Sequence, residues 1–335
     1  MLKFPELSWL CLRSIVSTHA REAFQAVIHL TGVRKQFGTL IAVHDLNLKI
    51  PKGEIYGLIG PNGAGKTTTI RMMCGLLVPT TGTVQIAGVN VIPEPELAQL
   101  HIGYLSDFFA VYDDLTVWEY LDYFAHAYKM PESEIQPRVR EVIAEVGLEV
   151  KTKSMIAGLS RGMKQRLGIA RAIIHKPDVL LLDEPASGLD PMARFELRML
   201  LQKLRDQGTT ILISSHILTE LEGFCTSIGI MEKGRLVRTG TIDEVTAADS
   251  PARTIALRWI GAGASVVGSV LEQFPEISDL EIDGDTAQFR CAATEERLVQ
   301  VLSELITAQV QLVSFSEVKT TVEDLYMKLS HHEVM

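Results

Sequence analysis

The stretch "GPNGAGKTT", residues 60–68, decides how the rest of the chain is read. It matches G-x-x-x-x-G-K-[ST]. Its glycines let backbone N–H groups turn inward around phosphate oxygens. Lys66 places a cation on the outer phosphates, Thr67 offers a hydroxyl to Mg²⁺, and the helix that follows points its positive end at the anion. A chance match in a chain of this length is on the order of 1%. Gly60, Pro61, Asn62, Gly63, Ala64, Gly65, Lys66, Thr67 and Thr68 are therefore candidate nucleotide-binding residues. The flanks agree: "EIYGLIG" reads as a short buried strand and "TTTIRMMCGLL" as a helix. A phosphate loop alone is shared by kinases, GTPases and motor ATPases.

Further along, "VLLLDEP" is an apolar run that ends in Asp183 and Glu184. The first acid at such a strand end holds Mg²⁺ through water, and the second is placed to orient and deprotonate an attacking water. Adjacent residues of an extended strand point to opposite sides, so the two acids are expected to serve separate roles. "LSRGMKQRLGIARAII", from Leu159, sets a polar loop before a long helix. Ser160 and the N–H groups near Gly162 lie at that helix's start, a second anion site. The two sites need not meet the same phosphate within one subunit; a head-to-tail dimer brings one from each chain onto one ATP.

Residues 27–244 alternate strand-like and helix-like segments, among them the helical "VREVIAEVG" and "RFELRMLLQKLRDQG" and the strand "TTILISSH". That alternation predicts a mostly parallel sheet covered by helices. Residues 245–335 read as a separate accessory domain. Within it, "TIALRWIG", "ASVVGSVLEQF", "ISDLEI", "TAQFRCAA", "TEERLVQVLSELITAQV" and "QLVSFSEV" give the order β-α-β-β-α-β of a small ferredoxin-like domain, with "DGD" as a hairpin turn and Thr294 as a helix cap. From Val245 onward there are 6 Lys/Arg against 14 Asp/Glu, most of the net charge of −9. An acidic appendix is a poor partner for nucleic acid. No apolar run is long enough to cross a bilayer. Residues 1–26 read as a loosely ordered extension, in which Pro5, Glu6 and Arg13 spoil any signal peptide; an amphipathic membrane-touching helix is the other reading. Cys11, Cys74, Cys225 and Cys291 show no metal-ligand spacing and read as buried free thiols of a reducing compartment.

The set "GPNGAGKTT", "LSRGM", "LLLDEP", "SGLD" and "ISSHIL", in this order, resembles the ATP-binding subunit of ABC transporters over roughly residues 27–244. The trailing "TVEDLYMKLS" resembles the C-terminal extension of the subfamily paired with ABC-2 type export permeases. The resemblance implies a P-loop ATPase domain with a helical subdomain. It implies the cofactors ATP and Mg²⁺, a homodimer or paired ATP-binding subunit formed on ATP, and an integral-membrane permease as partner. The chain is then expected on the cytoplasmic face of the membrane, held there through the permease. Carried over position by position, Phe37 stacks on adenine, and Ser160 and Gly162 contact the γ-phosphate across the dimer. Glu184 is the catalytic glutamate, Asp190 lies in the loop coupling the two sites, and His216 is the switch histidine. Without the resemblance, His216 is more often structural than functional.

Two positions depart from the pattern. The signature more often reads L-S-G-G-Q; here Arg161 and Met163 replace its first Gly and its Gln. After "IGYL" the family places a glutamine that touches Mg²⁺ and the attacking water. This chain has Ser106 and Asp107, and Asp107 is a candidate catalytic residue and Mg²⁺ ligand with a shorter reach, or else a loop residue. Around it, Tyr104–Tyr128 hold nine of the 21 aromatic residues. Trp118, Leu121, Phe124 and Ala125 recur at helical spacing and read as core; the resemblance implies a groove here for a permease helix, and Phe108, Phe109 and Tyr112 are expected to form part of it.

The expected function is an ATP-hydrolysing motor of an exporter. Three rivals remain in view. A soluble ABC-type ATPase acting on ribosomes or DNA would bind them in a salt-sensitive way, against the acidic appendix. A small-molecule kinase needs no signature loop and would show acceptor-dependent turnover. A regulatory protein that binds ATP with little turnover, motivated by Asp107 and Arg161, is separated by a steady-state ATPase assay.

Overall fold

The structure, a computed structural model, describes residues 26–217, 221, 223–247, 253–261, 263–292 and 294–318. Cys11, nearly all of the N-terminal extension and the "TVEDLYMKLS" segment lie outside the described residues. The chain divides into two compact units at Thr241/Ile242.

The first unit is built on a six-stranded sheet of β3 (Ile55–Ile59), β6 (Ile102–Leu105), β7 (Val179–Asp183), β8 (Thr210–Ser215), β9 (Ser227–Glu232) and β10 (Arg235–Thr241). The spatial order is β10-β9-β3-β8-β7-β6. All neighbours pair parallel except β10 with β9. Strands β3, β7 and β8 are buried at every residue. Burial on both faces is why they read as continuous apolar runs rather than alternating ones. A second, antiparallel sheet is ordered β2 (Leu40–Pro51), β1 (Ala26–Phe37), β4 (Thr81–Ile86), β5 (Val89–Asn90). It shares one core with the first: Ile28, Leu30, Val84 and Ile86 pack in the same cluster as Leu58, Leu181 and Leu212.

Helix α1 (Lys66–Met73) leaves the central strand β3 through the glycine loop. The short α2 (Pro95–Gln99) leads into β6. The segment between β6 and β7 forms α3 (Val117–Ala127), α4 (Glu132–Glu145) and α5 (Arg161–Ile173). Helix α3 starts at a capping box: Thr116 Oγ1 accepts from Glu119 N, and the Glu119 carboxylate accepts from Thr116 N. Leu121 and Ala125 are fully buried, as is Tyr120, while Trp118 and Phe124 are only half-buried. Helix α6 (Pro191–Asp206) joins β7 to β8, capped by Asp190 Oδ1, which accepts from Ala193 N at 2.9 Å.

The second unit opens with α7 (Ile242–Ala247). Then come β11 (Arg253–Ile260), α8 (Ala264–Leu271), β12 (Ile277–Asp283), β13 (Thr286–Cys291), α9 (Glu295–Thr307) and β14 (Gln311–Val318). The antiparallel sheet runs β12-β13-β11-β14, the split β-α-β arrangement of a ferredoxin-like domain. Alternate residues Ile255, Leu257 and Trp259 of β11 enter its core with Phe289, Val301 and Leu305. Thr294 stands at the start of α9, but its side chain makes no capping bond, contrary to expectation. Cys74, Cys225 and Cys291 are free and buried, and burial pushes the Cys74 and Cys225 thiols up, the latter to about 12. Among the described residues no helix is long and apolar enough to cross a membrane.

Candidate functional site

Four parallel strands lie side by side in the order β3-β8-β7-β6. Their carboxyl ends carry, in turn, the glycine loop, Ser215–His216, Asp183–Glu184, and Asp107 two residues past β6. The pairings Ile59 with Ser215 and Asp183 with Ser214 set the first three level. Segments far apart in sequence thus converge because parallel topology puts all carboxyl ends on one edge.

The glycine loop is shaped by left-handed backbone at Gly63 (φ 83°) and Gly65 (φ 101°). A Cβ at Gly65 would stand 2.6 Å from the Ala42 carbonyl, and one at Gly60 only 2.1 Å from that of Met231. At Gly63 a Cβ would meet nothing, which leaves the rim open to a ligand. Asn62 and Gly63 are exposed, Pro61, Gly65, Thr67 and Thr68 half-buried, and Ala64 buried. Lys66 is buried. Its Nζ donates to the carbonyls of Gly60 (2.6 Å) and Pro61 (3.2 Å) and pairs with Glu184 Oε1 at 3.3 Å.

Asp183 is buried, and its Oδ1 accepts from Thr67 Oγ1 at 3.1 Å and Ser214 Oγ at 2.6 Å. The Glu184 carboxylate lies between Lys66 and His216, with Oε2 2.7 Å from His216 Nδ1. Its role separation from Asp183 arises differently from the expected strand alternation. Glu184 is not extended: it has φ +50°, a left-handed backbone held by its N–H donating to Ser214 Oγ at 3.0 Å. Such a conformation at a non-glycine residue costs of order 1–3 kcal/mol and concentrates at functional sites. Ser214 therefore supports both acids, a part the sequence reading missed although "ISSH" was in view.

Asp107 is exposed, yet its carboxyl is raised above the ordinary range by partial burial and then by the charges of Asp183 and Glu184. Arg161 and His216 pull it the other way. It lies within the electrostatic reach of the Asp183–Glu184 pair. Thr67, Asp183 and Asp107 are hard oxygen donors, and among the described residues no group of three or more His, Cys, Asp or Glu could hold a metal by itself. That set fits Mg²⁺, which keeps waters and is bound through one or two carboxylates plus phosphate oxygens.

Other expected residues lie elsewhere. Phe37 ends β1 half-exposed, with Lys35 Nζ 4.9 Å from its ring centre and anchored on the Val78 carbonyl at 2.7 Å. Ser160 caps α5, accepting from Met163 N at 3.3 Å. A Cβ at Gly162 would lie 3.0 Å from Ala193 Cβ, so the start of α5 touches the start of α6. Arg161 Nη2 donates to the Ser187 carbonyl at 2.8 Å.

The aromatic stretch splits. Phe108 is 89% exposed and Tyr112 54%, the latter within 6.2 Å of the Tyr123 ring centre. Phe109 does not join them. It is half-buried against Gly168 of α5, where a Cβ would stand 2.8 Å from the ring, and Arg171 lies over its face.

A family model described as "ABC transporter" matches residues 43–187. "Probable multidrug ABC transporter ATP-binding protein YbhF" of Escherichia coli is 36% identical over 236 residues, 70% of this chain but 41% of that protein. The chain thus spans about two fifths of that relative's length. "Bacitracin transport ATP-binding protein BcrA" of Enterococcus faecalis is 34% identical over 304 residues, 90% of this chain and 96% of that one. Among solved structures, the ATP-binding cassette MJ0796, a dimeric post-hydrolysis state bound to ADP and Pi, is 28% identical with a TM-score of 0.57. It covers 64% of this chain and is itself covered to 98%.

Proposed function

The chain belongs to the ATP-binding subunits of ABC transporters, and we propose that it hydrolyses ATP to drive a separate membrane permease of the exporter type. The observation that carries this is the linked row Lys66–Glu184–His216 beside the Thr67–Asp183 pair, at the rim of the glycine loop. Its relatives' names, which refer to multidrug and bacitracin transport, support a transport motor.

Each residue's part follows from its contacts. Backbone N–H groups of residues 60–68 and the start of α1 receive phosphate oxygens. Lys66 exchanges one of its carbonyl contacts for the outer phosphates. Thr67, Asp183 and Asp107 would hold Mg²⁺, which would neutralise charge on the phosphates. Glu184 takes the proton of the attacking water. His216 holds the Glu184 carboxylate through Nδ1, which leaves Nε2 as the nitrogen directed to the γ-phosphate. Phe37, braced by Lys35, offers a ring face to adenine. Ser160 and Gly162 serve the ATP of a second ATP-binding subunit. ATP binding closes the pair, and hydrolysis reopens it. The exposed rings of Phe108 and Tyr112 form part of the surface that receives the permease, on the cytoplasmic face of the membrane.

Steady-state ATPase of the full chain tests this. We expect Mg²⁺-dependent phosphate release that Lys66→Ala and Glu184→Gln abolish, the latter with ATP still bound. Turnover unchanged in Glu184→Gln would overturn it.

A further inference from the structure

The residue at the second position of "LSRGM" is the point where this chain departs from the common pattern, and its side chain has a definite place. The Arg161 guanidinium lies flat against Gly188: a Cβ there would be 2.4 Å from both Cζ and Nη1. Gly188 also has φ +65°, so the position suits glycine twice over. From this seat Nη2 donates to the Ser187 carbonyl at 2.8 Å. A planar guanidinium does both at once, which an ammonium cannot.

What Arg161 holds is tied to Glu184 by short bonds. Ser187 N donates to the Glu184 carbonyl at 3.1 Å, and Leu189 N to that of Ala186 at 3.2 Å. Arg194 Nε donates to the Leu189 carbonyl at 2.9 Å, and Asp190 caps α6. The segment Glu184–Asp190 is therefore a continuous series of turns between β7 and α6. Arg161 also presents its charge to Asp107.

We propose that Arg161 is a positioning residue for hydrolysis: it fastens the Ser187–Gly188 turn to the start of α5, so that movement of that helix start is passed along the turns to Glu184. The proposal rests on the ATPase reading above. Ser160, which meets the second subunit's ATP in that reading, adjoins Arg161 at the same helix start. Engagement of one nucleotide is in this way felt at the glutamate serving the other. A mere surface cover for the loop would affect stability alone.

The test uses the full-length chain, with ATPase kinetics and thermal melting. Wild-type turnover that Glu184→Gln abolishes establishes the underlying reading in the same assay; its absence would overturn that reading and the proposal with it. Given that turnover, Arg161→Ala should lower kcat about tenfold, less than the roughly hundredfold that a misplacement of about 1 Å can cost. KM for ATP should stay within about twofold and Tm near wild type. Gly188→Ala, whose methyl displaces the guanidinium, should lower kcat similarly, and the double variant should be no slower than the slower single one. If Arg161→Ala does not fold, Arg161→Gln replaces it with the same expectations. A kcat within twofold of wild type, or losses that multiply in the double variant, would overturn the proposal.

Discussion

Asp107 occupies a crowded electrostatic position: partial burial and then two carboxylates push its proton affinity up, while Arg161 and His216 draw it down. A cation placed among Asp107, Asp183 and Thr67 relieves that repulsion. Asp107→Ala should therefore raise the Mg²⁺ concentration needed for half-maximal ATPase several-fold while ATP affinity changes little, and Asp107→Gln should keep much of the activity. A Mg²⁺ titration of both variants checks this; an unchanged requirement in Asp107→Ala would make it a loop residue. Ser214 gives a second residue-scale prediction. Ser214→Ala removes a donor to Asp183 in the interior and the acceptor for the part-buried Glu184 N–H. Leaving buried polar groups unpaired costs about 1–3 kcal/mol. Turnover should fall with the loss in stability, because the left-handed turn at Glu184 loses its hold.

At the scale of elements, the capping box on α3 sets the start of the helix that carries the aromatic cluster. Thr116→Ala should cost about 1 kcal/mol, as removal of such a cap does. Bonds from Thr116 hold the Glu119 carboxyl below its usual value. A depressed carboxyl stabilises the fold above its unfolded range and loses that contribution as pH falls through the folded value. The gap between wild type and Glu119→Gln in melting temperature should thus be present at pH 7 and close on acidification below about pH 4. Helix α5 offers a steric counterpart: Gly168→Ala places a methyl 2.8 Å from Leu105 and Phe109, and should destabilise by about 1–3 kcal/mol. Most elements were legible in the sequence because apolar runs, helical spacing and glycine loops are local signals. "VLLLD" can hardly be anything but a buried strand. The misreadings concern approaches between distant segments. Phe109 follows a polar, loop-like stretch, and only the absence of a side chain at Gly168 admits its ring. The left-handed turn at Glu184 depends on Ser214, thirty residues on. The seat of Arg161 on Gly188 is another approach between distant segments, with no local signal in the sequence.

At the scale of the whole molecule, the phosphate loop and the Ser160 helix start lie on separate elements, the latter packed on residues 187–193, as half of a shared motor site requires. The exposed rings of Phe108 and Tyr112 should serve the permease rather than the fold. Phe108→Ala and Tyr112→Ala should weaken co-purification with the membrane partner while basal ATPase stays near wild type, whereas Phe109→Ala should lower stability. The central claim is that two such subunits close on ATP, each supplying the helix start for the other's nucleotide. Size-exclusion chromatography of Glu184→Gln with saturating Mg-ATP tests it most directly. The account predicts a dimer that forms with ATP, is absent with ADP, and is lost when Ser160→Arg is added. A folded, ATP-bound Glu184→Gln chain that stays monomeric would contradict it.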